Sequence, residues 1–176
     1  MLQTRKFTTA KIFTLLTISL SWFFLQGCAT SPQSSTKATV GATEIIHIVE
    51  ADLDFITRID TGARTTSVHA LDVKIENPAP MKEDNIGKKI SLTLVNDKGE
   101  KKRLQTTIVD ALQVRNAQGV EVRYMIPLTL RWNGVDKTIN VNLRNRSAMT
   151  YKLLIGRDWL SKDFIVDVDI NKNLQN

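Results

Sequence analysis

The sequence predicts an all-β domain, a closed barrel of short strands with one short C-terminal helix. Short apolar and β-branched runs recur from Glu44 onward, with almost no helical period. Turn signals separate several of them: Asn96-Asp97-Lys98-Gly99, Asn116-Ala117-Gln118-Gly119 and Asn133-Gly134. No internal repeat divides the chain, so one barrel is expected rather than two similar lobes.

The first segment is not part of that barrel. Met1 to Lys11 carries Arg5, Lys6 and Lys11 with no acid, and Ile12 to Gly27 is uncharged and mostly apolar. A basic stretch before a short apolar one is the pattern of a secretory signal. The apolar run is short for a membrane-spanning helix, which needs about 20 such residues. It ends in Leu25-Gln26-Gly27-Cys28, which resembles a bacterial lipobox. That resemblance implies a signal peptide over 1–27 and lipid on Cys28, hence a lipid-anchored envelope protein. Ala29 replaces the aspartate that holds such proteins at the inner membrane, so the expected location is the outer membrane, facing the periplasm. Residues 28–43, rich in Ser, Thr and Ala, read as a flexible tether.

From there the strands follow in order: Glu44–Val49, Leu53–Ile59, Ser67–Ile75, Lys89–Val95, Arg103–Val109, Ala111–Val114, Val120–Leu130, Lys137–Leu143, Leu153–Ile155 and Phe164–Val168. Leu53–Ile59 shows the alternation of a half-buried strand, and Leu153–Ile155 is an apolar run closed by Gly156. Asn77 to Gly87, with two prolines, reads as a loop, and Arg157 to Lys162 as the short helix. The domain is expected over 44–170, with 171–176 as a tail.

Composition excludes several classes. One cysteine cannot form an intramolecular disulfide, and with two histidines it cannot build the usual closed zinc module. The formal charge of +6 falls to +3 once the three cations of residues 1–27 are set aside, so nucleic acid is not an expected partner. Lys101-Lys102-Arg103 is the one dense basic run and reads as a solvated hairpin tip.

Two segments carry the chemistry. Phe55 to Asp60 is an alternating strand ending on a carboxylate, followed by Thr61-Gly62-Ala63-Arg64. A glycine after the acid makes a tight turn whose backbone N–H groups can hold it. Lys152 to Ile155 is a strand closed by Gly156-Arg157-Asp158 at the start of the helix. Asp-Thr-Gly-Ala after an apolar strand, with apolar-apolar-Gly-Arg-Asp before a C-terminal helix, resembles the retropepsins, the single-lobed aspartic peptidases. Closer still is a bacterial group labelled "ATP-dependent zinc protease" and found beside ATP-grasp peptide ligases. It shares Ser67-Val68-His69-Ala70 and Arg146-Ser147-Ala148-Met149-Thr150-Tyr151 with this chain.

The resemblance implies a retropepsin-like acid-protease barrel over about 44–170 and catalysis by Asp60, with Thr61 bracing a two-fold axis and Gly62 letting substrate approach. Ala63, Arg64 and Gly119 are then substrate-binding, and Gly156, Arg157 and Asp158 form the structural motif. Aspartic catalysis needs two carboxylates sharing a proton. One Asp-Thr-Gly in 149 residues after the signal therefore implies a homodimer. The same mapping leaves the Val114 to Arg123 hairpin, with its tip at Asn116 to Gly119, as a flap. The label's zinc and ATP lack support, since His47 and His69 are 22 residues apart and no Gly-rich Lys-Ser/Thr loop occurs. Neither metal nor cofactor is expected.

Arg64 stands where many retropepsins have an acid. It recognises an acidic peptide or bridges to Asp158, and the sequence leaves both open. His69 reads as a structural histidine, Trp132, Trp159, Met149 and Tyr151 as packing, and Asp110 as solvated. The reading is an aspartic endopeptidase acting on envelope peptides or proteins. The alternative is a catalytically silent peptide- or protein-binding lipoprotein on the same fold, with a zinc hydrolase last.

Overall fold

Why the chain closes into a ring is visible in its register. A computed structural model describes residues 36–116 and 119–172. Residues 1–35, with the expected signal segment and Cys28, lie outside the described residues, as do Ala117, Gln118 and residues 173–176. The strands are β1 (Ala38–Ile48), β2 (Leu53–Ile59), β3 (Ser67–Ile75), β4 (Lys89–Val95), β5 (Lys101–Thr107), β6 (Asp110–Asn116), β7 (Gly119–Trp132), β8 (Val135–Arg144), β9 (Leu153–Ile155) and β10 (Phe164–Asn171). One helix, α1 (Arg157–Leu160), follows β9, and a 3-10 turn, Glu83–Asn85, interrupts the loop after β3.

Six strands pair in the cyclic order β1, β2, β9, β3, β8, β7, and β7 returns to β1 through His47 and Ile48 against Arg131 and Leu130. The protein is therefore all-β, as expected. β10 lies outside the ring on β1, β6 on β7, and the β4–β5 hairpin on β3. The ring's inward residues, among them Ile46, Phe55, Val68, Ile126, Val141 and Leu153, are completely buried. Each such side chain contributes about 1.5–3 kcal/mol. Asn133 and Gly134 both have positive φ, so they make the two-residue turn that joins β7 to β8.

β1, β5, β6, β7, β8, β10 and the helix depart from the sequence reading at one or both ends, and three of these boundaries have a physical reason. β1 begins at Ala38, six residues inside the stretch read as tether. That stretch is poor in apolar residues but pairs in parallel with β10, from Ala38 opposite Phe164 to Gly41 opposite Asp167, and completely buries Val40. Any side chain at Gly41 would collide with the Ile170 carbonyl. Buried Glu44 pins the bend there, accepting the Gly41 N–H at 2.8 Å and the Trp132 indole N–H at 3.0 Å. β5 stops at Thr107, because Ile108 turns into the core and donates its N–H to Lys88. α1 stops at Leu160, because Lys162 takes a left-handed φ of 77°.

The two long turns are docked. Asp97, in the β4–β5 turn, accepts the N–H of Ile56 on β2 at 2.8 Å and of Lys152 before β9 at 3.3 Å. Lys101, Lys102 and Arg103 face solvent. The loop after β3 is built around buried Asn85, which bonds Ala79, Met81 and the Tyr124 hydroxyl on β7.

Candidate active site

Parallel pairing brings the two signature segments together. Thr57, Arg58 and Ile59 of β2 lie opposite Leu153, Leu154 and Ile155 of β9, so Asp60 and Gly156 leave the sheet side by side. The Asp60 N–H donates to Ile155 at 2.9 Å. Asp60 Oδ1 accepts the N–H groups of Gly62 at 2.9 Å and Ala63 at 3.1 Å. Oδ2 has no hydrogen-bond partner among the described residues. This turn fixes one carboxylate oxygen, and the two residues that follow Asp60, Thr61 and Gly62, are exposed.

The Gly156-Arg157-Asp158 segment is the brace of that turn. The Arg157 and Asp158 N–H groups donate to the carbonyls of Ala63 at 2.9 Å and Arg64 at 3.3 Å. The Arg157 guanidinium donates to the Thr61 carbonyl at 3.1 Å. A Cβ at Gly156 would stand 2.7–2.9 Å from the Thr65 backbone, closer than real contacts allow. Asp158 accepts the Thr66 N–H and hydroxyl, both at 2.7 Å, and the Thr66 Oγ1 accepts the Gly156 N–H at 3.1 Å. With Asp158 held this way, the bridge to Arg64 does not form. Arg64 is exposed, and among the described residues it has no ion pair.

Arg64 instead borders a pocket of about 440 Å³. Ala63, Arg64 and Thr65 line it from the Asp60 loop, Leu112, Gln113 and Val114 from β6, and Arg123 from β7. Ser67, Asn142, Arg144, Arg146 and Leu154 complete it, with no acidic residue in the lining. Ser67 Oγ and Asn142 Oδ1 are buried there without a hydrogen-bond partner among the described residues. Burial holds the Arg146 guanidinium below its ordinary pKa, repulsion from Arg144 and Arg123 adds to this, and Asp60 opposes it. Four arginines thus share one cavity beside the aspartate. The sequence reading found only Arg64, because the others come from β7, β8 and the following turn. Arg146-Ser147 within the quoted signature was the available signal.

His69, read as structural, is buried and joins two signatures. Its Nδ1 accepts the Arg146 N–H at 3.0 Å and its Nε2 faces Ser147 Oγ at 3.3 Å. Burial lowers its pKa, Lys152 and Arg146 lower it further, and a hydrogen bond with the Arg144 backbone opposes them. Trp159 stacks on Phe164 at 4.1 Å and Trp132 meets the same ring edge-on at 5.6 Å, a packing role for both.

On the other flank of Asp60 lies an open concavity of about 390 Å³. Asp60, Thr61, Ala42, Arg58 and Ile59 line it with Val166 and Val168 of β10. Gly119, placed at the β6–β7 turn with a φ of 128°, lines neither concavity. Among the described residues no group of three His, Cys, Asp or Glu side chains could hold a metal ion.

The all-β barrel and the Asp-Thr-Gly turn braced by a Gly-Arg-Asp segment define a retropepsin-like protein. The chain belongs to the RimB-like family, described as "Retropepsin-like aspartic endopeptidase RimB", which matches residues 39–174. It is also similar to proteins named "Probable alpha-L-glutamate ligase". Identity to that of Parasynechococcus marenigrum (strain WH8102) is 32% over 136 residues, covering 74% of this chain and 28% of the relative. For that of Shewanella halifaxensis (strain HAW-EB4) it is 29% over 114 residues, covering 62% and 24%. The chain thus spans about a quarter of the length of these relatives. The crystal structure of Lpg0085, a protein of unknown function from Legionella pneumophila, shares the fold, with a TM-score of 0.61 and 23% identity over 76% of this chain and 95% of that one.

Proposed function

We propose that this protein is an aspartic endopeptidase that hydrolyses acidic peptides as a homodimer, with one Asp60 from each copy. The observation that carries the reading is the Asp60 turn. One oxygen is fixed by two backbone N–H groups, the other has no hydrogen-bond partner among the described residues, and Asp60 lines an open concavity with Thr61. Two such carboxylates facing each other share one proton, since like charges a few Å apart do not both ionise. The ionised partner takes a proton from water as the water oxygen attacks the scissile carbonyl carbon. The protonated partner gives its proton to the carbonyl oxygen. When the diol collapses and the C–N bond breaks, the proton taken from water goes to the departing nitrogen.

Support for pairing comes from the β10 flank, where Val168, 74% exposed, borders the same concavity as Asp60 and Thr61. Support for an acidic substrate comes from the four-arginine pocket, since guanidinium groups pair with carboxylates through charge-assisted hydrogen bonds. Glutamate is also the residue that the ligase relatives are named for, so a glutamate-rich segment is the proposed substrate. The place of action is the bacterial envelope, with the chain anchored at Cys28, on the strength of the pattern in residues 1–28.

The test is cleavage of a peptide library that includes glutamate-rich members, by the protein and by Asp60→Asn, with and without a chelator. Cleavage that disappears in Asp60→Asn and ignores the chelator supports the reading. No cleavage by a folded protein from acidic to neutral pH, with acidic peptides still bound, would leave the peptide-binding lipoprotein instead.

A further inference from the structure

The cationic pocket has a carboxylate at its edge that belongs to the protein. Glu121 and Arg123 are two apart on β7 and so share one face of the strand. Arg123 Nε and Nη2 both donate to Glu121 Oε2, at 2.9 and 2.7 Å. The two side chains differ in freedom. That of Arg123 is 9% exposed and lines the pocket, whereas that of Glu121 is 44% exposed and does not. Among the described residues Glu121 is the one carboxylate ion-paired to any of the four pocket arginines. Arg146 spends its Nε on the Tyr151 carbonyl.

Resting on the acidic-substrate reading above, we propose that Glu121 is an internal stand-in for a substrate carboxylate, displaced from Arg123 when an acidic peptide enters the pocket. A half-exposed ion pair is weak, so breaking it costs little, and the released Glu121 is resolvated by the water it already touches. An incoming carboxylate gains Arg123 together with Arg64, Arg144 and Arg146, which a neutral peptide has no means to exploit. Glu121 thereby sets a threshold: it offsets part of the repulsion among the arginines while the pocket is empty and yields only to ligands that replace its charge.

The proposal is a statement about sign. Binding of an acetylated tetraglutamate amide and of the tetraglutamine equivalent is measured by calorimetry on the full chain carrying Asp60→Asn, which prevents turnover. The same is done with Glu121→Gln and Glu121→Ala added. A stand-in predicts that both variants raise the glutamate-to-glutamine affinity ratio, by about three- to five-fold, the scale of a partly exposed ion pair. If Glu121 instead only aims Arg123, the ratio falls, and a ratio that falls or stays level overturns the proposal. The acidic-substrate reading fails separately, when neither the Glu121 chain nor its variants prefer the glutamate peptide; that result removes both.

Discussion

At Thr66 one buried hydroxyl serves two segments, donating to Asp158 and accepting from the Gly156 N–H. Thr66→Val keeps the shape and removes both bonds. The expected cost is about 1–3 kcal/mol in denaturant unfolding, with a loosened Asp60 turn. His69 gives a pH dependence. Its unfolded pKa is near 6.5 and its folded one lower, so the unfolded chain takes up the proton first as pH falls. Its contribution to stability is complete above about 6.5 and is lost between that value and the lower folded one. His69→Asn, which keeps an acceptor for Arg146 but does not titrate, should flatten the unfolding midpoint across that window. Protonation of Nδ1 also costs the Arg146 N–H its acceptor, which ties the mouth of the arginine pocket to the same titration. None of this was legible residue by residue: Thr66 belongs to no signature, and the partners of His69 lie 77 and 78 positions away.

Among elements, β2, β3, β4 and β9 take the bounds that their sequence gives them, because their apolar pattern is local and uninterrupted. The N-terminal half of β1 was illegible for the opposite reason. Its residues are small, with Val40 the one large apolar side chain, and what makes them a strand is a parallel partner more than 100 positions later. The Asp60 turn was readable, since acid, threonine and glycine are contiguous. Its brace was readable only as a resemblance, because the sequence does not state that β9 runs beside β2. The brace can be tested at Gly156: Gly156→Ala pushes on the Thr65 backbone and should lower stability by about 1–3 kcal/mol in the same unfolding assay. β10 gives the test of pairing. Val168→Asp changes an exposed side chain, so the melting temperature of the monomer should hold. Self-association in analytical ultracentrifugation and peptide cleavage should be lost together. Self-association equal to the parent chain would remove β10 from the interface.

For the whole molecule, net charge misleads. Half of the +6 comes from Arg5, Lys6 and Lys11 in residues 1–27, and the remaining +3 hides four arginines gathered from four segments into one cavity. A concave cluster focuses potential far beyond what an average charge suggests. Binding of acidic peptides should therefore weaken as salt rises from about 0.01 to 0.15 M, where the screening length falls from about 30 to 8 Å. Neutral peptides should show no such trend in the same titration. The proposed anchor has its own test: Cys28→Ser should move the protein from the membrane to the soluble fraction of cells.

The parallel pairing of β2 with β9 has a consequence in time. Asp60 leaves the sheet early in the chain, but its turn rests on Arg157 and Asp158, almost a hundred residues later. A chain emerging from its N-terminus carries the carboxylate long before it carries the scaffold, and long-range contacts form slowly. The Asp60 turn is therefore braced last, after β9 has slotted between β2 and β3 and the helix behind it has formed. On the proposed function, a chain still emerging would carry the carboxylate without its brace, and so without a competent site.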